Sequence, residues 1–561
     1  MNHRSVVGAI FLLSLFSPCR AQKLPGDDKV FGAMRDELSR TMSRLRMKGM
    51  PSPYFASYAV AQGTFATVTG SFGSLVMSRV APELYAGVQI RVGDSAFDNT
   101  HFLAAGSERE SFVGNASFEA DYDNLRAALW SLSDEAYKDA LQDLARKKAY
   151  KERRLIKENF GDLSREETIE SYGAEELLPF DRALWEGRVR EISAVFKEYA
   201  DIQDSQVTLS FQTGTKRLLT SEGTAVRSGI TRISLEMGAR AQALNGLRLA
   251  DSSDLHYVSW KDVPRLEVLK GEARRLAIRV KDAVHGGDLL TYVGPVLFED
   301  EAAAEFFDVQ LVDNISNPRG CWSENEENRA CDQASFVARL GLRVAVPFLD
   351  IADDPLLERF QGVALFGHYR IDSEGVPARR VNLVEKGKLV GLYMSRAPIK
   401  ERRHSNGHGR AEFGMLPTGR IGNLIVTPQA RFTMPKAALK EKLRGMCREL
   451  GLDYGIVVRR MQNLSPVSAY KVSVADGREE PLKGLEFTGT GTRPLRDIVA
   501  VSAERSAFNF YHYSQGHGLV PASIVAPSIL VVEMEIKKTE KKPDLLPYLK
   551  HPFFAPRSFG P

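Results

Sequence analysis

Apolar and polar positions recur along this chain in two registers, one helical and one strand-like, and the switches between them divide it. Over 28–45, Phe31, Met34, Leu38 and Met42 fall on one side of an amphipathic helix. Stretches rich in β-branched and aromatic residues follow at 54–61, 64–76 and 84–92, with a shorter one at 112–120, and read as strands. Helical character returns at Tyr122. Ser133, followed by Asp134 and Glu135, reads as the N-cap and first turn of a helix reaching about Lys157. A charged, loop-like stretch at 158–178 leads to a further helix at 180–199. Residues 205–219 read as two strands around a Thr213-Gly214 turn, 230–243 extends the sheet, and 263–284 is helical up to Gly286-Gly287.

The second half is mostly strand. Segments 368–371, 381–384 and 389–394 alternate with turns at 372–375 and 385–388, and strands at 456–461, 470–474, 498–502 and 529–536 follow. A short helix is expected at 299–309. A longer one has Thr433 as cap, Pro435 in its first turn and Gly451 past its end. The expected architecture is α+β: an N-terminal antiparallel sheet with long helices over 22–286, including a helical insertion at about 122–200. A β-rich C-terminal domain, barrel-like or sandwich, covers 287–538, and 539–561 is an extended tail.

Composition adds little. Charged residues make up 26% and apolar ones 43% of 561, as in ordinary globular chains, and a net charge of +4 demands no polyanionic partner. Arg146, Lys147, Lys148, Lys151, Arg153, Arg154 and Lys157 read as a solvated helix end, with no interleaved aromatic platform for nucleic acid. The N-terminus does change the picture. His3 and Arg4, an apolar run at 6–16 and a small residue at Ala21 read as a secretory signal, 1–21; the expected mature chain starts at Gln22 in a periplasmic or extracellular space. No later run is long enough to span a membrane. In an oxidising compartment Cys321 and Cys331 could close a short loop as a disulfide, whereas Cys447 falls at helical spacing with Leu439, Leu443 and Leu450 and reads as a core thiol.

Candidate metal ligands are sparse. His404 and His408 have the spacing that binds zinc on a helix, but Asn406-Gly407 between them makes a turn; His512 and His517 form a second, looser pair, read as surface loop. The sequence has no G-x-S-x-G elbow, no GK[ST] phosphate loop and no dinucleotide-binding glycine pattern. Ser221-Glu222-Gly223 with Arg227 is echoed by Ser373-Glu374-Gly375 with Arg379, which reads as two similar turns.

Several short motifs in order carry a resemblance. They are Pro53-Tyr54-Phe55, Arg91-Val92-Gly93-Asp94 with Phe97-Asp98-Asn99-Thr100, and Ser221-Glu222-Gly223-Thr224. GPVLFEDEAAAEFF at 294–307, Asp353-Asp354-Pro355, Asp372 to Val376, the NGHGR run at 406–410 and Ala526-Pro527-Ser528 continue the series. Together they resemble the TldD/PmbA family of modulator-of-gyrase, U62-type metallopeptidases. Its zinc-bearing members carry HExxxH where this chain has Phe298, Glu299 and Ala303. The carboxylate survives and both imidazoles are gone, so this chain resembles the TldE/PmbA-like member without the zinc motif. Glu299 then reads as part of an acidic helix start, and Asn406, Gly407, His408 and Arg410 as lining of a peptide cleft or an interface. The resemblance implies no cofactor here, zinc in a TldD-like partner chain, a peptide substrate, and pairing with that HExxxH chain or as a homodimer. Alternatives are a self-sufficient peptidase with a rearranged site built from His404, His408 or His512 with Glu299, and a peptide-binding envelope protein without catalysis.

Overall fold

The computed structural model describes residues 28–105, 112–115, 121–243, 245–325, 331–462, 465–488, 491 and 493–540. The expected signal segment lies outside these residues, and so does the tail beyond 540. The chain forms two large sheets. The first has seven strands. Its centre is the hairpin of Pro53–Ser71 and Ser74–Val92, followed by Ile202–Thr220, Ala225–Gln242 and Arg248–Tyr257. Neighbours in this series are antiparallel.

The first hairpin replaces the three strands expected from the sequence. Its two 19-residue strands turn at Phe72-Gly73, both with positive φ. Thr213-Gly214 is likewise no turn: it lies in the middle of Ile202–Thr220, with Gly214 opposite Gly63. The reason is crowding rather than chain reversal. A Cβ on Gly214 would stand 2.2 Å from the Gln62 carbonyl oxygen, and one on Gly63 would stand 2.2 Å from the Thr213 oxygen. Glycine here lets two long strands approach closely.

One face of this sheet carries the helices. Lys29–Arg44 and Tyr122–Arg154 cover Ala56, Tyr58, Val60, Ala86 and Val88. Arg182–Ala194 and Leu266–His285 cover Val68, Leu209, Phe211, Ile233 and Leu235. The long helix starts 11 residues ahead of the expected cap, with Asp121 accepting from the Asn124 amide. Ser133 is in mid-helix; its hydroxyl donates to the Leu129 carbonyl and meets the Tyr58 hydroxyl at 2.7 Å. The opposite face, which includes Ser57, Ala59, Gln89, Lys216 and Leu218, looks toward the second domain.

The second sheet has twelve strands. Gly518–Lys538 is its spine, flanked by Thr291–Phe298 antiparallel, Asn423–Pro428 parallel and Ile498–Ser514 antiparallel. Lys436–Glu449 packs Leu439, Leu443 and Cys447 against Leu297, Val457 and Leu530, so Cys447 is a core thiol. That helix starts after Pro435, which occupies the cap position, while Thr433 pairs with Val501 in a short parallel ladder. The strands expected at 368–371 and 389–394 shrink to an Ile371–Pro377 bridge and to Lys388–Leu389. Among the described residues no helix is long and apolar enough to cross a membrane.

The domains are joined by a buried ion network. Asp98 accepts from Arg91 at 3.0 Å and from the Tyr54 hydroxyl at 2.6 Å. Lys147 donates to Asp162 at 2.6 Å and to the Thr100 carbonyl, and Arg319 of the second domain reaches both Asp162 and Glu158 at 3.0 Å. Lys147 is thus fully buried, not part of the solvated basic face expected for it. The structure also joins Cys321 to Cys331, with Cα atoms 4.4 Å apart. The two echoing turns meet across the boundary. Gly375 packs on Thr224, while Arg396 pairs with Glu222 at 2.8 Å and gives its amide to Glu374 at 2.7 Å.

Candidate functional site

Two places bear on function: the 298–303 segment, where the resemblance puts the zinc motif of other members, and a cleft between the domains. Thr291–Phe298 runs between Gly518–Lys538 and Tyr454–Gln462, which fixes where the chain leaves the sheet. The turn uses Asp300 at φ +44, its amide donating to the Ser528 hydroxyl at 3.2 Å, and Glu301–Phe307 then forms a short helix. It continues through wider turns, Asp308–Val312, to Ile315, longer than the helix expected.

Phe298 and Ala303 are fully buried. The Phe298 ring stands 5.0 Å from Phe306 and 5.7 Å from Phe487, between centroids, so the place is filled with hydrocarbon. Glu299 accepts from Arg459 at 2.9 Å, and Arg459 also pairs with Glu479 at 2.9 Å. Phenyl and methyl groups supply no lone pair, and the surviving carboxylate is already held by a guanidinium, so these residues do not fit a catalytic zinc. Among the described residues no three of His, Cys, Asp and Glu converge as a metal site. Behind the helix, Glu305 accepts from the Met461 amide at 2.5 Å; burial, then neighbouring Glu301, pushes its pKa up to about 8.

The histidines are dispersed. The Gly407 turn, at φ +76, sends His404 into solvent, 74% exposed, and His408 into the core, with its Nε2 3.2 Å from Asp353 Oδ1. His512 and His517 are buried rather than on the surface loop expected: His512 lies within Ile498–Ser514, and His517 is in the turn joining that strand to Gly518–Lys538, folded in against Leu416. Arg420 donates to Nδ1 of His512 at 3.0 Å, so the proton of the neutral ring sits on Nε2, facing Asp313 at 3.3 Å. That tautomer leaves no lone pair on Nε2 for a metal. Nδ1 of His517 donates to the Leu416 carbonyl at 2.8 Å, and burial pulls its pKa down to about 4.

The cleft, with a cavity volume of about 70 Å³, lies between the helix-free face of the first sheet and the loop carrying Glu412 to Pro417. Phe55, Leu163, Leu218, Phe413, Met415 and Leu416 give it apolar walls; Ser57, Gln89, Lys216, Ser373 and Glu374 supply polar groups. Its loop is pinned by His517 to Leu416 and by the Leu519 amide to Glu412 at 2.9 Å. The NGHGR run stands one layer behind. Asn406 bonds Met394 and Leu392 backbone, Gly409 abuts Glu374, and Arg410 stacks on the Tyr369 ring at 4.5 Å. None of Asn406, Gly407, His408 and Arg410 is on the cleft wall itself. Lys216 is the wall residue that sequence reasoning missed; a lysine at an alternating strand position carries no signal of which face it takes.

The C-terminal half has a recognised class. Residues 291–538 match the family model described as PmbA/TldA metallopeptidase C-terminal domain. A metalloprotease of Methanothermobacter thermautotrophicus is 27% identical over 168 residues, 30% of this chain and 35% of that protein. Metalloprotease MJ0996 of Methanocaldococcus jannaschii is 24% identical over 241 residues, 42% of this chain and 49% of that protein. The matches thus span at most about half the length of these relatives. The crystal structure of TldE from Thermococcus kodakarensis shares the fold: TM-score 0.57 at 13% identity, covering 90% of this chain and 99% of that one. Residues 291–538 thus form a PmbA/TldD-type C-terminal domain, and the chain as a whole has the fold of TldE.

Proposed function

We propose that this protein is the zinc-free subunit of an exported peptide-processing complex, holding an extended or unfolded peptide in the interdomain cleft while an HExxxH-bearing partner hydrolyses it. The observation that carries this reading is the hydrocarbon packing of Phe298 and Ala303 where zinc-bearing members have histidine, with Glu299 paired to Arg459. A general base needs a metal-bound water to deprotonate, and Glu299 is instead committed to an ion pair. The cleft supports the peptide part: it combines apolar walls with a few polar groups able to fix a ligand's orientation, as binding pockets do. The Cys321–Cys331 bond fits an oxidising compartment.

The test is coexpression with an HExxxH-bearing TldD-like chain. Size-exclusion chromatography and hydrolysis of an unfolded polypeptide are followed for each chain and for the pair. Hydrolysis by the pair and not by this chain alone is the expected result. Hydrolysis by this chain alone overturns the reading in favour of a self-sufficient peptidase. Peptide binding with no pairing reduces it to a non-catalytic peptide-binding protein.

A further inference from the structure

The charged side chains on the cleft wall are unequally satisfied. Arg91 is paired with Asp98, and Arg396 with Glu222 and the Ser164 carbonyl. Glu374 accepts the Arg396 amide and Glu412 the Leu519 amide. Lys216, in the C-terminal part of Ile202–Thr220, has neither hydrogen bond nor ion pair among the described residues; its ammonium lies 5.9 Å over the Phe413 ring. Its surroundings make that state costly. Burial first, then Arg232 and Arg410, pull its pKa down to about 8. The carboxylate that opposes this, Asp372, is already engaged by the amides of Glu374, Val376 and Gly409 at 2.9 Å each. A half-buried ammonium without an ion-pair partner, beside apolar walls, is a place that gains from an incoming anion.

Resting on the peptide-cleft reading above, we propose that Lys216 is a specificity residue that binds a peptide carboxylate, with apolar flanking side chains seated on Phe55, Leu218, Phe413 and Met415. The carboxylate has two sources, a peptide's C-terminus or an internal acidic side chain. Removing the carboxylate from the peptide leaves the ammonium uncompensated in the complex, which sets the expected discrimination at about tenfold or more.

The experiment uses three fluorescently labelled hexapeptides with the protein and its Lys216→Met and Lys216→Arg variants. They are Phe-Ala-Phe-Gln-Phe-Ala with an amidated end, the same peptide with a free carboxylate end, and the amidated peptide with Glu in place of Gln. In the unmodified protein at least one carboxylate peptide should bind about tenfold tighter than the neutral one, and which one does so identifies the source. That preference should disappear in Lys216→Met and survive in Lys216→Arg. Equal, measurable affinity for all three peptides overturns the Lys216 proposal alone, and so does a preference unchanged in Lys216→Met. Failure of all three to bind overturns the peptide-cleft reading and this proposal with it.

Discussion

Lys147 and Lys148 are neighbours of the same type on one helix, and the structure gives them opposite consequences. Lys148 is exposed, whereas the Lys147 side chain is fully buried. Its ammonium meets Asp162 and the Thr100 carbonyl and lies 4.8 Å over the Phe97 ring. Around it the charges balance: Arg91, Lys147 and Arg319 face Asp98, Glu158 and Asp162. Lys147→Met keeps the length of the side chain but leaves one buried carboxylate in excess and the Thr100 carbonyl without its partner. Breaking a buried pair from one side costs about 3–5 kcal/mol, because the remaining charge stays desolvated. Lys148→Met should cost within about 0.5 kcal/mol. Urea unfolding followed by tryptophan fluorescence reports the difference, with Trp322 5.4 Å from the Lys147 ammonium as a local probe. Similar, small losses for both variants would refute the claim that this network holds the domains together.

Gly214→Ala should destabilise by about 1–3 kcal/mol, since its Cβ meets the backbone of Gln62 and Gly63 rather than a flexible side chain; a loss under about 0.5 kcal/mol contradicts the close strand crossing. Burial holds His517 neutral, with a pKa of about 4 against an ordinary 6.5, so the unfolded chain takes up the proton first. Its contribution to stability is therefore full above pH 6.5 and is lost as pH falls toward 4. His517→Asn keeps a donor but cannot charge, so urea midpoints of the two proteins should converge between pH 6.5 and 4; parallel curves would refute the assignment.

Much of the fold was legible in the sequence because binary patterning reports burial directly. Phe31, Met34 and Leu38 are buried as their spacing implied, and in the first hairpin strand Ala56, Tyr58 and Val60 pack under the helices while Phe55, Ser57 and Ala59 line the opposite face. What patterning misread were residues whose role depends on a distant partner. Gly214 looks like a turn until Gly63 is seen opposite it, and Ser133 looks like a cap until Tyr58 is seen beside it. Lys147 looks solvated because its counter-charge comes from Asp162 and a second-domain neighbour, Arg319. At the candidate site Phe298 and Ala303 stand where the resemblance implies imidazoles, and both are packed in hydrocarbon. The cleft was not legible in the sequence, because Phe55, Lys216 and Phe413 come together only when the two sheets are docked.

The central claim, a TldE-like chain that works without its own zinc, is met most directly by elemental mass spectrometry of the purified chain after dialysis without chelator. The account predicts zinc near zero per chain. About one zinc per chain, lost when His404 and His408 are both replaced by alanine, would contradict it and make the protein a peptidase with a rearranged site.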